Sequence, residues 1–222
     1  MKGMRIILGW ILVFKMGVLL AQDTTLPYYK EIRAFRVQDS LQFPAANQIL
    51  FIGSSSFTRW TDVQQYFPGY KILNRAFGGS SLLDLIRYRY EVIYAYQPKQ
   101  IVMYCGENDF ASSDTVTVAM VVQRFKTLFR LIRAKYPDVP FVYVSMKPSP
   151  SRRNLFAKYI EANRQIRQYL SAHKQTRFVD VYTAMLQASG QPNGSVFSND
   201  SLHMNSQGYR IWQKKLQPVL IK

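Results

Sequence analysis

The sequence predicts a single α/β domain built on a parallel sheet with helices on both faces. Short apolar runs alternate with amphipathic segments, the order expected of strands joined by crossover helices. Runs such as Ile101-Val-Met-Tyr104 and Phe141-Val-Tyr-Val144 are apolar at every position, as strands covered on both faces must be. A length of 222 residues suffices for one well-buried domain and is short for two.

Leu26 to Gln42 form a polar, partly helical lead. Strands are expected over 48–54, 70–76, 100–105, 140–146 and 177–182. A helix is expected from about Ser80 to Tyr96. The next helix follows Asp114, whose short carboxylate suits an N-cap, and it places Val121, Phe125, Leu128, Phe129 and Ile132 on one face. Another runs from about Leu155 to Ser171, and the last from about Ser206 to Leu216. Pro98, Pro137 and Pro140 punctuate the boundaries. The connections are short, with no insertion long enough for a lid or a second domain.

Hydrophobic residues make up 48% of the chain and charged residues 19%, the balance of a folded globular protein. The formal charge of +16 raises the question of an anionic partner. The basic residues are dispersed, however, from Arg87 and Arg89 through Arg124–Lys135 to Lys214 and Lys215, mostly on polar helix faces. No helix-turn-helix, zinc-knuckle or RNA-platform pattern accompanies them, so no nucleic acid is expected. Attraction to acidic glycans or a cell surface is the reading that remains. The one cysteine, Cys105, lies in an apolar run and reads as a buried structural thiol. One cysteine and two histidines make no zinc pattern, and neither a dinucleotide fingerprint nor a phosphate loop is present. No metal and no cofactor are expected.

Residues 1–21 read as a signal peptide or an N-terminal anchor. Lys2 and Arg5 precede a mostly apolar stretch ending at Ala21, a small residue suited to cleavage. Lys15 interrupts that stretch and Leu19 is not the preferred small residue at −3, which keeps the uncleaved anchor open. Either reading implies a secreted or periplasmic domain. Residues 22–47 are then a lead segment packing on a domain spanning 48–222.

The chemistry gathers where strands end. Ile49-Leu-Phe-Ile-Gly53 runs into Ser54-Ser55-Ser56, the second strand into Asn74-Arg-Ala-Phe-Gly78-Gly79-Ser80, and the third into Gly106-Glu107-Asn108-Asp109. In a parallel sheet the carboxyl ends share one edge, where ligand crevices form. Should the first strand lie between the other two, a serine hydroxyl sits between a glycine-rich turn and an asparagine amide. Such donors suit the oxyanion of acyl transfer. Asn199-Asp-Ser-Leu-His203 adds a base, His203, with Asp200 placed three residues earlier to accept from Nδ1–H. The other histidine, His173, sits near a helix end and reads as a partner of terminal carbonyls. Trp60 and the tyrosines are read as core before sugar-binding surface, and Lys147 as a surface-loop lysine.

These four segments, in this order, resemble the signature blocks of the SGNH hydrolases, also called GDSL-type esterases and lipases. The resemblance spans Ile49 to the carboxyl terminus. It implies a flavodoxin-like three-layer α/β/α sandwich with a five-stranded parallel sheet in the order 2-1-3-4-5. It further implies Ser55 as nucleophile, His203 as base and Asp200 as the orienting acid. The Ser55 and Gly79 backbone N–H groups and the Asn108 amide would form the oxyanion hole. Ser54 stands where the family's first block usually has a non-catalytic aspartate. The Gly-Ser-Ser-Ser segment and Met146-Lys-Pro-Ser-Pro150 look like those of a bacterial secreted or envelope subset. The activity implied is a serine esterase, and the absence of a lid or long apolar insertion favours short-chain acyl esters, acetyl above all, of a small molecule or glycan outside the cell. A lysophospholipase or thioesterase, a transacetylase, and a non-catalytic carbohydrate-binding domain on the same fold remain open alternatives.

Overall fold

Strand residues alternate between the two faces of a sheet, and here that alternation divides the core in two. Leu50, Ile52, Ile101, Met103, Phe141 and Tyr143 pack into one apolar layer. Their sequence neighbours Ile49, Phe51, Val102, Tyr104, Val142 and Val144 pack into the other. The computed structural model describes residues 26–222, so the targeting segment expected over 1–21 lies outside the described residues.

The order of elements is α1 (Tyr29–Leu41), β1 (Ile49–Gly53), α2 (Ser55–Thr58), α3 (Val63–Tyr66), β2 (Ile72–Asn74) and α4 (Leu82–Arg87). There follow β3 (Gln100–Tyr104), α5 (Glu107–Ala111), α6 (Val118–Lys135), β4 (Phe141–Val144), α7 (Phe156–Ser171), β5 (Thr176–Val179) and α8 (Ser206–Leu216). The sheet is five-stranded, with order β2-β1-β3-β4-β5, and all four pairings are parallel. Residues of α4, α6 and α7 cover one face; Phe57, Trp60, Phe67 and the α8 residues Tyr209, Trp212 and Leu216 cover the other. This is the flavodoxin-like three-layer arrangement the sequence predicts. Helix α1 docks through Ile32 into the first layer, and Asp39 takes hydrogen bonds from buried Arg75 and from Tyr96, both at 2.5 Å.

Two local expectations are corrected. The helix expected over Ser80–Tyr96 breaks after Arg87 and resumes as a π-helical turn, Tyr90–Tyr94. The break falls at Tyr88, whose hydroxyl donates to the Pro27 carbonyl at 2.6 Å. The N-cap of α6 is Thr117, whose hydroxyl accepts from Met120 N–H, and not Asp114. Val116 is buried, so the chain must turn into the core before the helix begins. Trp60 is fully buried against Tyr209, with ring centroids 4.7 Å apart, and belongs to the core. His173 meets the Tyr169 carbonyl at 2.8 Å near the end of α7.

A very close backbone approach lies where β1 hands over to Ser54. Gly53 has φ of +138° and pairs with Tyr104; a Cβ there would lie 1.9 Å from the Tyr104 carbonyl oxygen. Any side chain would push β1 off β3 and adopt a strained backbone as well. Gly53→Ala is therefore expected to lower the free energy of unfolding by at least about 3 kcal/mol, read from chemical denaturation midpoints. A loss under about 1 kcal/mol, the ordinary scale for a harmless change, would contradict this close approach.

Candidate active site

Because β1 lies between β2 and β3, the segments after all three strands converge on one edge. Gly53 ends β1, Ser54 donates its backbone N–H to the Tyr104 carbonyl at 3.0 Å, and α2 begins at Ser55. Ser55 thus occupies the first position of a helical turn, where a backbone N–H has no partner within the helix. Its hydroxyl lies 2.9 Å from His203 Nε2. The other ring nitrogen, Nδ1, lies 2.6 Å from Asp200 Oδ2. Asp200 Oδ1 accepts from the backbone N–H groups of Leu202 and His203 at 3.0 and 2.9 Å, which fixes the carboxylate against its own turn.

The electrostatics suit a neutral imidazole backed by an ionised carboxylate. Burial pushes the His203 pKa below its ordinary value; the nearby charges of Arg59 and Lys147 act in the same direction and Asp200 opposes them. For Asp200, desolvation opposes ionisation. The hydrogen bonds from the His203 ring and from the His203 and Leu202 backbone outweigh it and hold the carboxyl well below the usual range. Arg59, largely exposed at the end of α2, adds a guanidinium 3.6 Å from Asp200 Oδ2.

Gly78 and Gly79 shape the neighbouring turn. Gly78 has φ of +37°, and a Cβ there would lie 2.6 Å from the Tyr28 ring, so only glycine lets the lead segment approach. Gly79 faces the Asn108 amide: its Cβ position would be 3.7 Å from Nδ2. One Asn108 N–H donates to the Ser80 carbonyl at 3.2 Å, leaving the second N–H of that amide available. Ser80 is itself held by a hydroxyl bond to the Gly53 carbonyl at 3.0 Å. Ser55, His203 and Asp200 thus form one hydrogen-bonded line, and Gly79 and Asn108 meet beside the turn tied to the end of β1.

The residues flanking Asn108 divide the remaining work. Asp109 is wholly buried; it accepts from Leu82 N–H and from Arg124, both at 2.9 Å, and so anchors the starts of α4 and α5 to α6. Glu107 turns the other way and pairs with Lys147 Nζ at 3.0 Å. Lys147 is therefore no surface lysine: it is 1% exposed, and the expectation from its loop sequence is overturned. The available signal was two opposite charges, each set just after an apolar strand, on strands that prove to be neighbours. Arg59 also escaped sequence reasoning, since nothing local connects it with Asp200. Among the described residues, no group of three or more His, Cys, Asp or Glu side chains could hold a metal ion.

Comparison with known proteins bears on the family and the fold. A model of the GDSL-like lipase/acylhydrolase family matches residues 51–211. No curated protein matches the chain by sequence. A structure from Streptococcus pneumonia, provisionally described as a platelet activating factor, aligns with a TM-score of 0.73 and 23% identity over 86% of this chain and 92% of that one. A GDSL-like lipase from Bacteroides thetaiotaomicron aligns with a TM-score of 0.70 and 19% identity over 85% and 96% of the two chains. An acetyl-xylooligosaccharide esterase from Geobacillus aligns with a TM-score of 0.62 and 15% identity over 80% and 96%. At these identities the structural likenesses speak for the fold alone.

The lowered His203 pKa has a measurable consequence. In an NMR titration the ring is expected to protonate with a midpoint below the ordinary imidazole value of about 6.5. Arg59→Gln removes a cation that disfavours imidazolium, so the midpoint is expected to rise; no upward movement would deny Arg59 an influence on the ring.

Proposed function

We propose a substrate class for this chain, which belongs to the GDSL-like lipase/acylhydrolase family and is a carboxylic ester hydrolase. It removes short acyl groups, acetyl foremost, from a carbohydrate ester outside the cell. The observation that carries the mechanism is the continuous contact from Asp200 through His203 to the Ser55 hydroxyl.

In this reading His203 Nε2 accepts the Ser55 proton as Oγ attacks the ester carbonyl carbon. The carbonyl oxygen becomes an oxyanion and meets the Ser55 and Gly79 N–H groups and the free N–H of Asn108. As the intermediate collapses, the C–O bond to the alcohol breaks and the imidazolium returns its proton to the leaving oxygen. Water then repeats the cycle on the acyl-serine, His203 again taking and giving the proton, and carboxylic acid departs. Asp200 keeps the Nδ1–H tautomer in place and stabilises the transient imidazolium.

The short acyl preference is supported by the rim. Gly79 and Asp200 are both exposed, and Ser55 is only half-buried, so a bulky alcohol has room while a long acyl chain finds little cover. Several structural neighbours are named as acetyl or carbohydrate esterases, which agrees with this reading. The net positive charge suits an acidic glycan or cell surface, and residues 1–21 suit export.

A series of nitrophenyl esters of increasing acyl length, assayed beside acetylated oligosaccharides, tests the proposal. Turnover is expected to be fastest on acetate and propionate, and to vanish in Ser55→Ala. Asn108→Ala is expected to lower kcat by roughly 10²–10³-fold, the scale for one lost oxyanion donor. Fastest turnover on long acyl chains would replace the carbohydrate reading with a lipolytic one.

A further inference from the structure

We propose that the buried ion pair between Glu107 and Lys147 is a positioning device, holding the Asn108 amide and the Asp200–His203 loop in one fixed relation. The proposal rests on the roles just assigned to Ser55, His203 and Asn108, and extends them to two residues that touch no reacting atom.

The pair lies at the junction of the two halves of the site. Glu107 precedes Asn108 in α5 and grips Lys147 twice: Oε1 accepts its backbone N–H at 2.7 Å, and Oε2 accepts from Nζ at 3.0 Å. Lys147 Nζ donates a further bond to the Tyr104 hydroxyl, at 3.0 Å, on the last residue of β3. Lys147 also opens the strap that follows β4. Two residues on, Ser149 donates its hydroxyl to the Leu202 carbonyl at 3.2 Å. Ser151 donates both its N–H and its hydroxyl to the Ser201 carbonyl, at 3.1 and 3.0 Å. Ser201 and Leu202 are the two residues between Asp200 and His203. Ser201 has φ of +53°, a backbone state that costs energy in a non-glycine residue and persists when its surroundings hold it. An unbroken path of strong contacts therefore runs from the oxyanion arm to the loop of the base.

Stability alone does not account for such a pair. Glu107 and Lys147 are 4% and 1% exposed, so both charges have lost most of their hydration. Apolar side chains of similar volume often hold a core as well as a buried ion pair, or better. What they lack is direction: a carboxylate bound at both oxygens fixes the orientation of its helix turn, and a misplacement of about 1 Å near the chemistry is expensive in rate. The charge of Lys147 also reaches His203, where it acts with Arg59, the residue after α2, against Asp200 from the same loop.

The test compares full-length Lys147→Met and Glu107→Gln/Lys147→Met with wild type on nitrophenyl acetate, alongside thermal unfolding. The double variant is expected to fold as wild type does, and Lys147→Met, which leaves the Glu107 carboxylate buried without its partner, to fold with a lower unfolding temperature. The double variant is expected to lose roughly 10- to 100-fold in kcat with KM changed by less than about threefold. In Lys147→Met the acidic limb of the pH–rate profile is also expected to move to higher pH, because a cation opposing imidazolium has gone. A folded double variant with kcat within about twofold of wild type would overturn the proposal, as would a loss residing in KM. Should the pair variants fail to fold, Ser149→Ala decides: it deletes only the hydroxyl bond to the Leu202 carbonyl. A drop in its kcat at unchanged KM supports the proposal, and an unchanged kcat overturns it. Activity retained in Ser55→Ala would instead overturn the assignment of the site itself, independently of these results.

Discussion

The close apposition of β1 and β3 is the constraint on which the rest of this molecule depends. Five register pairs, from Ile49 with Gln100 to Gly53 with Tyr104, bring the last residues of both strands level. At that level the Tyr104 carbonyl occupies the space a Gly53 side chain would need, and accepts the Ser54 N–H. Ser55 is placed by backbone bonds, without reliance on any mobile side chain. A hydroxyl delivered this way needs little reorganisation when the reaction begins, which is the physical basis of preorganised catalysis.

Around that fixed point the site divides charge by depth. The two layers of the core are apolar, yet Lys147, Glu107 and Asp109 lie buried near the active edge, each with a charged partner. Asp200 stays near solvent, where hydrogen bonds from its own turn favour the ionised form. His203 sits between these zones and is pushed toward neutrality, mainly by burial. A base must be unprotonated to accept a proton, so the depth of His203 suits the role proposed for it.

The lead helix α1 enters the same structure from outside the sheet. Tyr28, just before it, packs against Gly78, while Asp39, near its end, grips Arg75 and Tyr96. The turn that carries Gly79 is thereby supported from two sides, by Ser80 bonded to β1 and by the lead segment above it. A segment that looks peripheral in sequence is structurally continuous with the active edge.

Much of this was written in local pattern. Doubly apolar runs marked strands buried on both faces, and the order of runs and amphipathic segments implied the layered fold. The groups proposed as nucleophile, base and oxyanion donors could be picked out because each sits in a short segment whose residue types suit one chemistry. Asp200 and His203 lie three residues apart and bond within one turn, which short-range geometry permits on its own. The break after Arg87 and the late start of α6 were not legible, because a distant Pro27 carbonyl and the burial of Val116 decided them. Nor were the partners of Lys147: Glu107 is forty residues away, and a lysine before a proline reads as loop until β3 and β4 lie side by side. What the chain alone determined is the set of candidate groups and the strand ends and turn that bear them. Only the tertiary structure decided which charges are buried together and which carbonyls hold the loops, because desolvation and long-range hydrogen bonds exist only after distant segments have met.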